Sequence, residues 1–468
     1  MKRGLLLLAL LGSVCAAARP VRGTVACGTE PLGGVLVTDG YGFARTDARG
    51  RFELNANDEA LFIAVVTPSG YVAPSDAGIP QFFLPCTPER KRYDFLLERW
   101  SESTGRYELL AIADPQPKTE AHFERLRTGI IPPLRAATAD GAQRGMPQAA
   151  LILGDIVWDA PELMDPVKRQ FASLEIPVYP VIGNHDHDQT KSTDREATAN
   201  YRRHFGPTYY AFDLGRTHYI VLDDIVYRSR RDYDEQIDSV QIAWAVDYAK
   251  RLPAGSRVCI AMHAPLVKSW LGFREMASAA PLLEALEGHE VHFITGHTHL
   301  NSNYDIRDNV MEHNVAQICG NLWWDPLNWD GTPKGYQHFS ENGDRFEWSY
   351  RTLDAPEGRQ LRLWRPGQVA ACPDKVVAKA WNWDPHWTVV WYEDGRYRGA
   401  MQRIELDDPD YAAHLDSLKA AGRKLSKVQR SRNTNFYFAA RPSAGAREVR
   451  VEATDRFGNR YSDCVRLR

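Results

Sequence analysis

The stretch VIGNHDHD, Val181 to Asp188, sets an asparagine, two histidines and two aspartates directly behind an apolar run. A short apolar, β-branched run reads as a buried strand, and in layered α/β sheets strand ends are where loops converge and ligands bind. The arrangement recurs along the chain. "AIADPQ" ends in Asp114 and Gln116, "LILGD" in Asp155, "IAMH" in His263, and "FITGHTH" in His297 and His299. Any one of these has a plainer reading, because a lone aspartate after a strand usually caps a turn or helix and a lone GNHD is a plausible polar turn. The His-x-His pair is more pointed, since alternate residues of an extended chain face the same way. Five strand ends in series, each delivering a metal-capable side chain, argue for a metal site.

Outward from these motifs, strands alternate with helices. From Tyr107 the series runs "YELLAIAD", a helical segment near Thr119 to Ala139, "AALILGD", a helix near Glu162 to Leu174 and "IPVYPVIGNHD". It continues through "RVCIAMHAP", the helical "MASAAPLLEALEG" and "VHFITGHTH". Such alternation predicts a layered α/β domain, placed at residues 101–355. On either side the pattern changes to short alternating strands with Gly- and Asp-rich turns, predicting a small β-sandwich at 19–100 and a mainly β domain at 356–468 with one helix near Asp410 to Gly422.

At 468 residues and 44% hydrophobic content the chain has enough apolar surface for two or three cores. Residues 1–18 have a basic start, an apolar run from Leu5 to Leu11 and small residues before Arg19, the layout of a secretory signal peptide cleaved after Ala18. A lipoprotein anchor at Cys15 is the competing reading, disfavoured by Val14 where a small residue is wanted. Export to a periplasmic or secreted destination is therefore expected, with no later run approaching a membrane span. Cleavage removes Lys2 and Arg3 and leaves 55 basic against 60 acidic side chains, a formal charge of −5. No basic stripe argues for nucleic-acid binding. Of the six remaining cysteines, Cys27 and Cys86 bracket the N-terminal segment and Cys372 and Cys464 the C-terminal one, so each pair is expected as a disulfide in an oxidising compartment. Cys259 and Cys319 sit in apolar runs and read as buried free thiols.

The ordered series "DPQ", "GDIVWD", "GNHD", "MHAP" and "GHTH" resembles the calcineurin-like metallophosphoesterases over roughly residues 107–350. The flanking segments make the chain look like a three-domain bacterial branch, and "PLGGVLVTDGYGFARTDARGRFEL" resembles a transthyretin or carboxypeptidase-regulatory module. The resemblance implies a four-layer fold, a β-sandwich flanked by helices. It also implies two divalent metal ions (Mn, Zn or Fe), one held by Asp114, Gln116, Asp155 and His299, the other by Asp155, Asn184, His263 and His297, with Asp155 bridging. His185 would then be a non-ligand that protonates the leaving oxygen, with Asp186 orienting and charging it. Two cations about 3.5 to 4 Å apart lower the pKa of a shared water and neutralise phosphoryl oxygens during in-line attack. Gln116 departs from the histidine that many members carry there, which leaves metal identity open.

The segment "GNLWWDPLNWDGTPKGYQHF" resembles an aromatic, Gly-rich loop near the metals in this branch, making Trp323, Trp324, Asp325 and Tyr336 candidates for a substrate wall. Adjacent tryptophans equally suit packing at a domain junction. "WNWDPHWTVVWYEDG" reads as β-core, and Asp223 and Asp224 as capping or supporting residues. The expected substrate is a small-molecule or glycan-linked phosphate ester, sugar, lipid or nucleotide. A diester is favoured over a monoester because no extra Arg/Lys clamp for a dianion is evident. The competing class is a non-catalytic envelope carbohydrate-binding or scaffold protein on the same fold.

Overall fold

The computed structural model describes residues 19–100, 105–268, 274–354 and 359–467; the expected signal peptide lies outside them. In the centre, strands β1 (Arg106–Ile112), β2 (Gln148–Leu153) and β3 (Val178–Val181) pair in parallel, Leu110 opposite Ala150 and Leu153 opposite Val181. Strands β2 and β3 are buried along their whole length, as expected for parallel strands covered on both faces. A second sheet contains β4 (Tyr210–Leu214), β5 (Thr217–Val221), β6 (Arg257–Ala261), β7 (Glu290–Thr295), β8 (Ser302–Arg307) and β9 (Val310–Asn314), ordered β4-β5-β6-β7-β9-β8. The first sheet is completed by the hairpin of β10 (Gly335–Asn342) and β11 (Arg345–Thr352), so its order is β3-β2-β1-β10-β11.

The inner faces of the two sheets meet in one apolar core that includes Leu109, Leu151, Tyr179, Phe212, Tyr219 and Cys259. Phe212 stacks between Tyr179, at 3.7 Å, and Tyr219, at 5.0 Å. Outside the first sheet lie helices α1 (Ile131–Gln143) and α2 (Met164–Ala172), whose Leu134, Val167 and Phe171 bury against Leu110 and Ile152. Outside the second lie α3 (Ser239–Ala249) and α4 (Ala280–Ala285), burying Trp244, Tyr248 and Leu282. Helix, sheet, sheet, helix is the four-layer fold. Helix α3 had no counterpart in the sequence reading; Asp238 starts it by accepting from the Val240 and Gln241 amides.

The N-terminal region is a β-sandwich in which Arg19–Cys27 runs parallel to Arg92–Arg99, Val25 opposite Phe95. Its Phe82 packs on Tyr210 at 4.7 Å, joining its core to that between the central sheets. Beyond residue 359 two four-stranded sheets enclose Trp383, Trp387, Trp391, Phe436 and Phe438, so the aromatic run there is core. Helix α5 (Pro409–Ala420) connects two neighbouring strands of one of these sheets and is capped by Asp408, whose side chain accepts from the Tyr411 amide.

The expected disulfides are not formed: all six described cysteines are free thiols. Cys27 ends a strand of one N-terminal sheet, whereas Cys86 follows an edge strand of the other and accepts from Arg19 at 2.7 Å. Cys464 is exposed on the last strand, while Cys372 packs against the cluster under the opposite sheet. Bracketing a domain in sequence does not bring two thiols to one sheet. Cys259 and Cys319 are buried, and burial pushes the Cys319 thiol up to about 12.

Candidate active site

Each expected donor stands just past a central strand: Asp114 after β1, Asp155 after β2, Asn184 after β3, His263 after β6, His297 and His299 after β7. The chain turns so sharply there that five of them adopt the left-handed region, with φ of 49° at Asp114, 42° at Gln116, 47° at Asp155, 65° at His297 and 60° at His299. Non-glycine residues rarely hold this conformation, and clusters of them mark functional sites. Neighbouring glycines permit the close approach. A Cβ on Gly183 would lie 2.2 Å from the Asp155 nitrogen, and one on Gly154, at φ +78°, 2.4 Å from His263 Nδ1.

The turns bring all seven side chains into one buried cluster. Gln116 donates its amide to Asp155 Oδ2. His263 Nε2 lies 3.4 Å from Asp155 Oδ1 and 3.1 Å from both Asn184 Oδ1 and His297 Nδ1. Asp114 accepts from the His297 amide at 3.1 Å and sits 3.5 Å from His299 Nε2. Donors from Asp155, His263 and His297 all fall within 4.8 Å of one another.

The proton count of this cluster decides what it can hold. His263 Nδ1 is 2.8 Å from the Leu153 carbonyl, which can only accept, so the proton of a neutral ring is on Nδ1. The lone pair on Nε2 then faces an amide oxygen, a carboxylate oxygen and a second imidazole. These acceptors need a positive charge among them, either a proton that makes His263 an imidazolium or a metal ion in its place. Asp114 Oδ1, Gln116 Oε1 and His299 Nδ1 are also buried without a hydrogen-bond partner. Burial works to raise the Asp155 carboxyl, yet His263, His185 and His297 hold it below the usual carboxylate range. The residues present therefore fit divalent metal; carboxylate, imidazole and amide donors suit borderline ions such as Mn, Fe or Zn.

His185 stands beside the cluster, about a quarter exposed. Its Nδ1 is 2.8 Å from Asp159 Oδ1 and its backbone amide donates to Asp155 Oδ1 at 2.9 Å. The expected pairing of His185 with Asp186 is corrected here. Asp186 turns inward and accepts from the amides of Gly183, Ile156 and Val157 at 2.9, 3.1 and 3.0 Å, because only the buried side of the turn offers it donors. Burial and the charge of Asp155 push its carboxyl up to about 7. Asp159 had a visible signal, as the final residue of "GDIVWD".

Three of the four residues expected in a substrate wall do other work. Trp323 is buried, donating to the Gln116 carbonyl at 3.0 Å, and so holds the turn that carries Gln116. Asp325 is buried among Asn321 and Tyr411 at 3.0 and 2.9 Å on one oxygen and His414 and Gln429 at 2.9 and 3.0 Å on the other, a clasp to the C-terminal domain. Tyr336 lies in the core under α1. Trp324 alone is open, 45% exposed, 6.4 Å from Trp158, whose ring is in turn 5.6 Å from His185. Sequence reasoning also missed Glu235, 3.4 Å from His297 Nε2 and ion-paired with Lys268, for which a hairpin of mixed polarity offers no signal. Asp223 and Asp224 are supports: Asp224 accepts from the His263 and Ala264 amides at 3.0 and 2.8 Å.

Residues 107–301 match the family described as calcineurin-like phosphoesterase, residues 19–100 its N-terminal family and residues 312–461 its C-terminal family. The chain belongs to the calcineurin-like phosphoesterases. Among curated proteins none matches it. Solved structures similar to this phosphoesterase include a dimetal phosphatase from Danio rerio, at 15% identity and TM-score 0.38 over 53% of this chain and 97% of that one. A purple acid phosphatase from yellow lupin seeds is similar at 10% identity and TM-score 0.41, over 72% and 68% of the two chains. The NAD nucleotidase of Haemophilus influenzae is similar at 11% and 0.32, over 67% and 56%. As a member of its family, this phosphoesterase is a metal-dependent hydrolase of phosphate esters, and among the described residues no helix is long and apolar enough to cross a membrane.

Proposed function

We propose that this phosphoesterase hydrolyses phosphodiesters at a two-metal centre. Asp114, Gln116, Asp155 and His299 would hold one ion and Asp155, Asn184, His263 and His297 the other. The observation that supports this is the convergence of acceptors on His263 Nε2, where a bound metal ion would take the place of a proton. When bound, the ions lower the pKa of an attacking water and neutralise phosphoryl charge. His185 Nε2 is the proton donor to the leaving oxygen, with Asp159 holding the ring through Nδ1. Among the described residues no Arg or Lys pairs with any of the seven donors, which suits the single charge of a diester better than the two of a monoester.

Export is part of the same reading. N-terminal sequencing of protein recovered from outside the cytoplasm should begin at Arg19.

The test is metal analysis with turnover. Protein reconstituted with Mn, Zn or Fe should approach two ions per chain and cleave bis(p-nitrophenyl) phosphate faster than p-nitrophenyl phosphate. A folded protein that holds only trace metal in every condition would overturn the proposal.

A further inference from the structure

Residues 422–433, GRKLSKVQRSRN, carry Arg423, Lys424, Lys427, Arg430 and Arg432 and no acid, in a chain whose acids outnumber its bases. Among the described residues none of the five takes part in an ion pair, although the flanking Lys419 and Arg441 pair with Asp416 and Asp374. A free basic run is usually a solvated face. This one is tied down next to the metal centre. The Val428 carbonyl accepts from Asn321 at 3.2 Å and Gln429 donates to Asp325 at 3.0 Å. Arg432 donates its amide to the Trp329 carbonyl at 2.9 Å and lays its guanidinium over that ring at 5.0 Å. The Trp329 ring in turn meets His299 edge-on at 5.4 Å. One aromatic ring thus separates the basic segment from a side chain of the donor cluster.

Arg423, Lys424, Lys427 and Arg430 are exposed and Arg432 is half-buried, so the five like charges gather on a surface that a bound anion would neutralise. Arg432 makes the need local, since its Nε is buried without a partner. We propose that this segment is a second anion subsite of the active site, and that the substrate is a phosphate ester carrying a further phosphate group on the part that is not cleaved. The inference rests on the phosphoesterase reading for the scissile end. It gives the C-terminal domain a role in choosing the substrate, with the exposed Lys427 and Arg430 as the side chains assigned to the distal phosphate.

Binding tests it without turnover. Calorimetry on the metal-loaded full chain compares thymidine 5′-phosphate with thymidine 3′,5′-bisphosphate, which differ only in the second phosphate. At low salt the bisphosphate should bind about 10-fold tighter, and the preference should shrink at about 0.5 M salt, where charges are screened within a few Å. The double variant Lys427→Gln/Arg430→Gln changes two exposed side chains, and its melting temperature reports the fold; it should lose most of the preference. Equal affinity for the two ligands in the unmodified protein, or an undiminished preference in the double variant, overturns the inference. Ester hydrolysis is scored separately: turnover without the preference defeats this inference alone, and the preference without turnover upholds it while defeating the proposed reaction.

Discussion

Two carboxylates four and one residues from Asp155 and His185 do opposite jobs, and substitution should separate them. Asp186→Ala leaves the Gly183, Ile156 and Val157 amides without an acceptor. A buried unsatisfied donor costs about 1 to 3 kcal/mol, so the melting temperature and the metal content should fall together. Asp159→Ala should leave both unchanged and lower turnover, roughly 10-fold, through a poorly oriented His185. His185→Ala should keep its metal and lose about 10² to 10⁴ in turnover, the range of a general acid. That loss should shrink with p-nitrophenolate as leaving group, because a weak base hardly needs the proton. Loss of metal from His185→Ala, measured by elemental analysis, would show it to be a ligand instead.

At the scale of the element, the strands dictate the site through their ends. Gly154, at φ +78°, lets β2 end against the His263 ring, and an added Cβ would meet Nδ1 at 2.4 Å. Gly154→Ala therefore faces a disfavoured conformation and a clash at once. It should lower the melting temperature and abolish stoichiometric metal binding even though no donor is altered. The opposite end of the same sheet supplies a pH signature. Glu108 on β1 is buried; burial works to raise its carboxyl, and His338 and Arg144 hold it below the usual carboxylate range, the guanidinium by paired contacts of 2.8 and 3.0 Å. A carboxyl depressed in the folded state adds stability above its unfolded value, about 4.3, and loses it as pH falls below that. In urea unfolding of metal-free protein, Glu108→Gln should cost about 1 to 3 kcal/mol at pH 7 and visibly less at pH 3.5. A difference that stays constant with pH would contradict the assignment.

Across the whole molecule, the domains are joined by buried polar clasps as well as by apolar packing. Asp325 receives donors from Tyr411, His414 and Gln429 of the C-terminal domain, and Asn303 donates to Asn382. Removing one partner from a buried charged network typically costs about 3 to 5 kcal/mol. Asp325→Ala should thus loosen the C-terminal domain, seen as earlier proteolysis within 355–433 and a lower melting temperature. Because the same clasp seats the basic segment beside Trp329, the variant should also lose preference for a doubly phosphorylated ligand. Retained protease resistance would mean that the aromatic core alone holds the domains together.

The sequence by itself determined the α/β character of the central domain, five of its strands, the β character of its flanks and the seven polar side chains that stand past those strand ends. These are local signals: apolar period, turn residues and ligand types at strand ends follow from a few neighbouring residues each. Helix α3 escaped because "SVQIAWAVDYAK" is apolar on most of its surface and lacks a clear periodic stripe. Only the tertiary structure decided which groups meet. Adjacency suggested that Asp186 serves His185, but a turn points neighbouring side chains in different directions, and Asp159 fills that place. Bracketing suggested disulfides, but in each pair one thiol lies on a strand of one sheet and the other in a loop beside a different sheet. Trp323, Asp325 and Tyr336 look alike as a loop near the metals, and burial sent them to a turn support, a domain clasp and a core. Partner choice depends on packing between segments far apart in the chain, and no window of sequence contains it.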